Sequence, residues 1–90
     1  MEYETINRAI LQHLHLAGFA SDEILLQVTT QEGVALLKEM LSFTHDHPLW
    51  RVEDTLVAYK QVRQLLRERY PLLTDDANMR LANYAAYHWK

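Results

Sequence analysis

Five histidines in ninety residues are the first group whose types and spacing could do chemistry. His45, Asp46 and His47 are consecutive. If they lie in a loop, two imidazoles and a carboxylate can turn toward one ion, a donor set that suits zinc. The segment supplies at most three ligands, so a small metal-binding protein using His45 and His47 is the third-ranked reading. Against it stands a plainer one, in which Asp46 or His47 caps the following helix and the rings stay solvated. His13 and His15 form a second H-x-H pair, but on a helix they point about 200° apart and cannot share an ion. His13 falls mid-way across an apolar face, as a core histidine with one hydrogen-bonded nitrogen would, whereas His15 points outward.

Nucleophilic chemistry is thin. There is no Cys, and of the two serines Ser21 suits a helix cap, which leaves Ser42. A triad of Ser42, His45 and Asp46 can be written down, but such close neighbours cannot readily set nucleophile, base and orienter in line. The acid pairs Asp22-Glu23, Glu53-Asp54 and Asp75-Asp76 stand near helix starts, where the helix dipole favours them. Two isolated glycines cannot build a phosphate-cradling loop. No catalytic residue, metal or cofactor is assigned, and the chain reads as no enzyme.

The pattern that remains is electrostatic. Lys60, Arg63 and Arg67 fall within about 60° of one another on one helix and repel at i,i+3 and i,i+4. No acid three or four residues away neutralises them. Three roles stay open: a solvated face, internal pairing with Asp75 and Asp76 if the last helix folds back, or docking of an acidic partner surface. Arg63 borders the apolar face, so its stem can be packed and its fork presented rigidly. Near the C-terminus Tyr84, Tyr87, His88 and Trp89 add aromatic mass, either docked on the core or serving as an anchor for a partner. The candidate partner-binding set is Lys60, Arg63, Arg67, Tyr87 and Trp89.

The elements that must position these residues are helical. The chain is 49 % apolar, with fifteen Leu, nine Ala and nine aromatics but only two Gly and two Pro. That is core material for one domain, with little turn chemistry for hairpins. A first helix is expected over 3–17, with Ile6, Ile10, His13, Leu14 and Ala17 inward. Gly18 stops it, and Phe19 returns onto Leu14. Ser21 caps a short second helix to about Val28. A Thr29-x-x-Glu32 capping box then opens a third to about Phe43, in which Gly33, Val34, Leu37, Met40 and Leu41 share a face. Gly33 would permit a close helix crossing, and 44–48 is a loop. A long helix over 49–69 buries Val52, Leu56, Tyr59, Val62 and Leu66 and breaks at Tyr70 before Pro71. Thr74 caps the last helix, whose inner face carries Ala77, Leu81, Tyr84, Ala85 and His88. Leu11, Leu36, Phe43, Met79 and Ala86 fall off the core faces and are either covered by neighbours or part of an interface. The expectation is all-α, a single helical domain over 1–90, built as one compact bundle of four to five mostly antiparallel helices.

Twelve acids against nine Lys and Arg give a net charge of −3, which disfavours nucleic acid as a general partner. A helix-turn-helix regulator over His13 to Val28 is the second-ranked function, although its would-be recognition helix opens on Ser21, Asp22 and Glu23. With no apolar run near ~18 residues and an acidic start at Met1, Glu2, Tyr3 and Glu4, the sequence predicts a soluble cytoplasmic protein. In size, acidity and helical content the chain resembles small inhibitor proteins, such as bacteriocin immunity proteins and phage proteins that disable a host complex. The likeness rests on no motif. The leading expectation is a non-enzymatic protein-protein interaction domain, an inhibitor or adaptor, that binds a larger protein with an acidic surface. A homo-oligomer stays open.

Overall fold

The computed structural model describes residues 3–52 and 54–89, so Met1, Glu2, Glu53 and Lys90, with the reading of Glu53-Asp54 as a pair, lie outside it. The order is α1 (Tyr3–His13), β1 (Leu14–His15), β2 (Gly18–Phe19), α2 (Asp22–Leu25), α3 (Gln31–His45), α4 (Leu49–Val52), α5 (Thr55–Arg69) and α6 (Asp75–His88). Apolar residues at helical spacing drive the four long helices together. Ile6, Ala9 and Ile10 of α1, Val34, Leu37 and Met40 of α3, Ala58, Val62 and Leu66 of α5, and Ala77, Leu81 and Ala85 of α6 meet in one buried cluster. The last helix packs against α1, α3 and α5, and its inward alanines let those neighbours approach closely. The chain is an all-α bundle, and none of its described helices is long and apolar enough to cross a membrane.

One expected start and one stop stand. Thr74 Oγ1 accepts from Ala77 N at 3.2 Å, Asp75 and Asp76 occupy the first turn of α6, and α5 ends at Tyr70 before Pro71. Elsewhere local hydrogen bonding overrode periodicity. The first helix stops at His13 rather than 17, and the chain turns at once into a two-residue hairpin that the scarcity of turn residues argued against. Gly18, at φ +114°, makes that possible, because residues bearing a Cβ rarely take this backbone. Leu14 still meets Phe19, but as a cross-strand pair rather than a helix ending. Ser21 holds the cap position of α2 without a side-chain hydrogen bond, and the helix ends at Leu25.

The third helix is capped by Thr30, one residue later than the Thr29-x-x-Glu32 box implied, with Thr30 Oγ1 accepting from Gly33 N at 3.1 Å. The space above Gly33 is taken by Thr29, whose Cγ2 would stand 2.8 Å from an added Cβ, and not by a crossing helix. The same helix runs on through Thr44 and His45, which were expected in a loop. Thr44 is buried and returns its hydroxyl to Met40 O at 2.7 Å.

The largest difference lies in the expected helix over 49–69. It is two helices, because Asp54 takes an extended ψ of 143° and turns its carboxylate to accept from Leu56 N at 2.9 Å, starting α5 afresh. The face of α4 therefore no longer continues that of α5. Val52 and Leu56, expected inside, are 74 % and 61 % exposed, and Trp50 is buried instead. Its indole Nε1 donates to Thr44 O at 2.7 Å.

Candidate functional site

The three basic residues on α5 have different fates. Arg63 lies at the joint with α6, its side chain 16 % exposed. Its Nε donates to Asn78 Oδ1 at 3.0 Å, and its Nη2 donates to Asp75 Oδ1 at 2.6 Å. Asn78 is buried, and its amide donates back to the Arg63 carbonyl at 3.0 Å, so one residue of α6 grips both the side chain and the backbone of residue 63. Arg67, half exposed, reaches the same Asp75 at 3.4 Å and Gln64 Oε1 at 3.4 Å. Lys60 is exposed. The internal role weighed for the stripe is therefore taken up by Arg63 and in part by Arg67, through Asp75. Asp76 pairs with neither. Asn78 carried no periodic or charge signal, and only its place one turn into a capped helix facing Arg63 could have singled it out.

What the break at Asp54 adds is an apolar corner beside these cations. Val52 ends α4, Leu56 and Val57 open α5, and Lys60 follows Leu56 by one helical turn, so apolar surface and positive charge adjoin. Val57 is also exposed.

The C-terminal aromatics are docked on the bundle. Trp89 Nε1 donates to His45 O at 2.7 Å, and the Arg51 guanidinium sits 5.4 Å from the Trp89 ring centre. His45 is edge-on to His88 at 5.5 Å between ring centres, and Tyr84 lies 4.4 Å from His88. His88, expected on the inner face, is exposed, and its Nε2 lies 2.7 Å from Leu16 O. A carbonyl oxygen can only accept, so Nε2 carries the proton. Tyr87 is exposed, its ring 5.7 Å from that of His88. Of the two terminal anchors considered, Trp89 closes the bundle and Tyr87 presents itself outward. His13, expected in the core, is half-buried at the end of α1.

His45 and His47 do not converge. The former turns to Tyr84, His88 and Trp89. The latter packs on Phe43 and accepts from Leu49 N at 3.2 Å, capping α4. Among the described residues no three His, Asp or Glu side chains are grouped as metal ligands. Ser42 and His45 both bond to Asp46, at 2.9 Å each. The carboxylate stands in the middle where a triad needs the imidazole, so Ser42 has no base. The stretch from His13 to Val28 forms a hairpin and a single helical turn, which is not a helix-turn-helix.

Those two hydrogen bonds give a testable pH dependence. His45 foremost, then Ser42, hold the Asp46 carboxyl below its ordinary value. A depressed folded value means the unfolded chain binds the proton more readily, so the stabilisation is present above the ordinary carboxylate range and is lost as pH falls through the folded value. Asp46→Asn is expected to melt below the wild type near about pH 6, with the gap closing toward about pH 3. A gap independent of pH in thermal melts would show that these bonds do not favour the carboxylate.

Comparison with family models, curated proteins and solved structures returns no match. Fold and site together define a small all-α domain with an exposed apolar corner where α4 meets α5 and Lys60 one turn beyond it.

Proposed function

We propose that this chain is a non-enzymatic protein-protein interaction domain, a small cytoplasmic inhibitor or adaptor, that binds a larger protein through the corner formed by Val52, Leu56, Val57 and Lys60, with Arg67 at its edge. The observation that carries this is the exposure of Val52 and Leu56 at the break between α4 and α5, with Lys60 one helical turn after Leu56. Apolar side chains held outward side by side on ordered helices carry a hydration cost that a partner can recover. The partner that fits presents an apolar ridge with an acid placed to meet Lys60 and Arg67, so that complementary charge both steers the encounter and sets register. Arg63, spent on Asn78 and Asp75, holds α5 in place for the corner rather than acting as its anchor.

The test is a double change, Leu56→Glu with Lys60→Glu, compared with wild type and with Gln12→Glu on the exposed side of α1. Affinity is measured by titration against the purified partner captured from source-cell lysate. Both variants should keep the wild-type melting curve, since both sites are exposed. Association by the double variant is expected to fall at least about tenfold, by lost apolar burial and like-charge contact, while the control is unchanged. Unaltered affinity in the folded double variant removes this surface as the interface.

A further inference from the structure

A second concave surface lies where the hairpin faces α6. Leu14, His15 and Leu16 form one wall and Arg80, Asn83 and Tyr84 the other, enclosing about 460 Å³. That volume is in the range of small-ligand clefts. Its walls are apolar at Leu16 and Tyr84, while the Leu14 side chain is buried in the core beneath. No acid lines it, and Arg80 supplies the charge. Arg80 holds one hydrogen bond among the described residues, a long one from Nη1 to Leu14 O at 3.3 Å, while a guanidinium carries five N–H donors in a planar fork that suits a carboxylate. Asp76 stands one turn before Arg80 in the neighbouring shallow cleft, and no ion pair joins the two among the described residues. The Asn83 amide, one turn after Arg80, adds polar capacity to the same wall.

We propose that this cleft binds a small carboxylic acid with a compact apolar body, its carboxylate on Arg80 and Asn83 and its body against Leu16 and Tyr84. A free acid is favoured over a bound peptide by the hairpin itself. An added strand needs a row of open backbone groups, whereas each strand here is two residues long. The carbonyls of Leu14 and Leu16 are already taken, by Arg80 and by His88. The site shares no residue with the corner on α4 and α5 and stands or falls independently of it.

The probe is 4-phenylbutyrate, followed in ¹H–¹⁵N correlation spectra of the full chain, with 4-phenylbutanol as its uncharged counterpart and N-acetyl-Gly-Gly-Phe as a peptide ending in the same chemistry. A millimolar dissociation constant is expected for so small a ligand, with shifts confined to residues 14–18 and 80–84. The alcohol should bind about tenfold more weakly, and Arg80→Gln should remove that difference, while Arg80→Lys retains part of it. Each variant's melting curve verifies folding. Equal binding of acid and alcohol, shifts mapping elsewhere, or no saturation at tens of millimolar overturns the proposal. Tighter binding of the peptide than of phenylbutyrate overturns the choice of a free acid.

Discussion

Replacing Trp50 by alanine is expected to remove about 3–5 kcal/mol of folding stability, a large part of the roughly 5–13 kcal/mol that a domain of this length commands. The indole is 6 % exposed and belongs to the central apolar cluster, so truncation leaves a cavity the backbone cannot readily collapse into. It also leaves Thr44 O without the donor it has at 2.7 Å. Because α4 is a single turn, with no intrinsic helical stability to hold it, Trp50 is what fastens 49–52 to the bundle. Trp50→Phe keeps most of the ring and loses the N–H, and should cost about 1–2 kcal/mol. Urea denaturation followed by the emission of Trp89, the other tryptophan, measures both. A loss under about 1 kcal/mol for Trp50→Ala would mean that α4 is held by something else. Since Val52 lies two residues on, Trp50→Ala should also blur the proposed docking corner, whereas Trp50→Phe should leave it intact.

Trp50 also shows why part of this fold was legible in the sequence and part was not. Where a helix presents apolar residues at regular spacing, burial follows the pattern, as at Ile6 and Ile10, Val34 and Leu37, Val62 and Leu66, and Leu81 and Ala85. Periodicity carries no information about phase once the helix is interrupted. A single carboxylate, Asp54 on Leu56 N, restarted the helix and moved Val52 and Leu56 to the surface. A cap of about 1 kcal/mol thus decided which residues face outward. At Gly18 the competing signals were a helix ending and a hairpin, which place Leu14 opposite Phe19 alike, so the contact was readable and the backbone was not. For the site, the clustering of Lys60, Arg63 and Arg67 was readable. Their division between structure and surface depended on where α6 returned, a long-range fact that charge spacing cannot encode.

Arg63→Ala is therefore expected to act on folding, at about 2–3 kcal/mol, the cost of leaving Asn78 Oδ1 buried without its donor together with the packing of the arginine stem. For ninety residues that lowers the melting temperature by roughly 10–20 °C. Arg63→Met, which keeps the stem, should recover some of the loss. The Asp75 contact adds little, because that carboxylate is 64 % exposed and a solvated pair is worth under about 1 kcal/mol. Two double-mutant cycles separate the contributions: the coupling of Arg63 with Asn78 should exceed its coupling with Asp75, and Arg67→Ala should move stability by less than about 0.5 kcal/mol. Chemical denaturation of the variants measures all of these. An Arg63→Ala protein that melts like the wild type yet loses its partner would reverse the assignment, making Arg63 the anchor of the basic stripe and its bonds to α6 incidental.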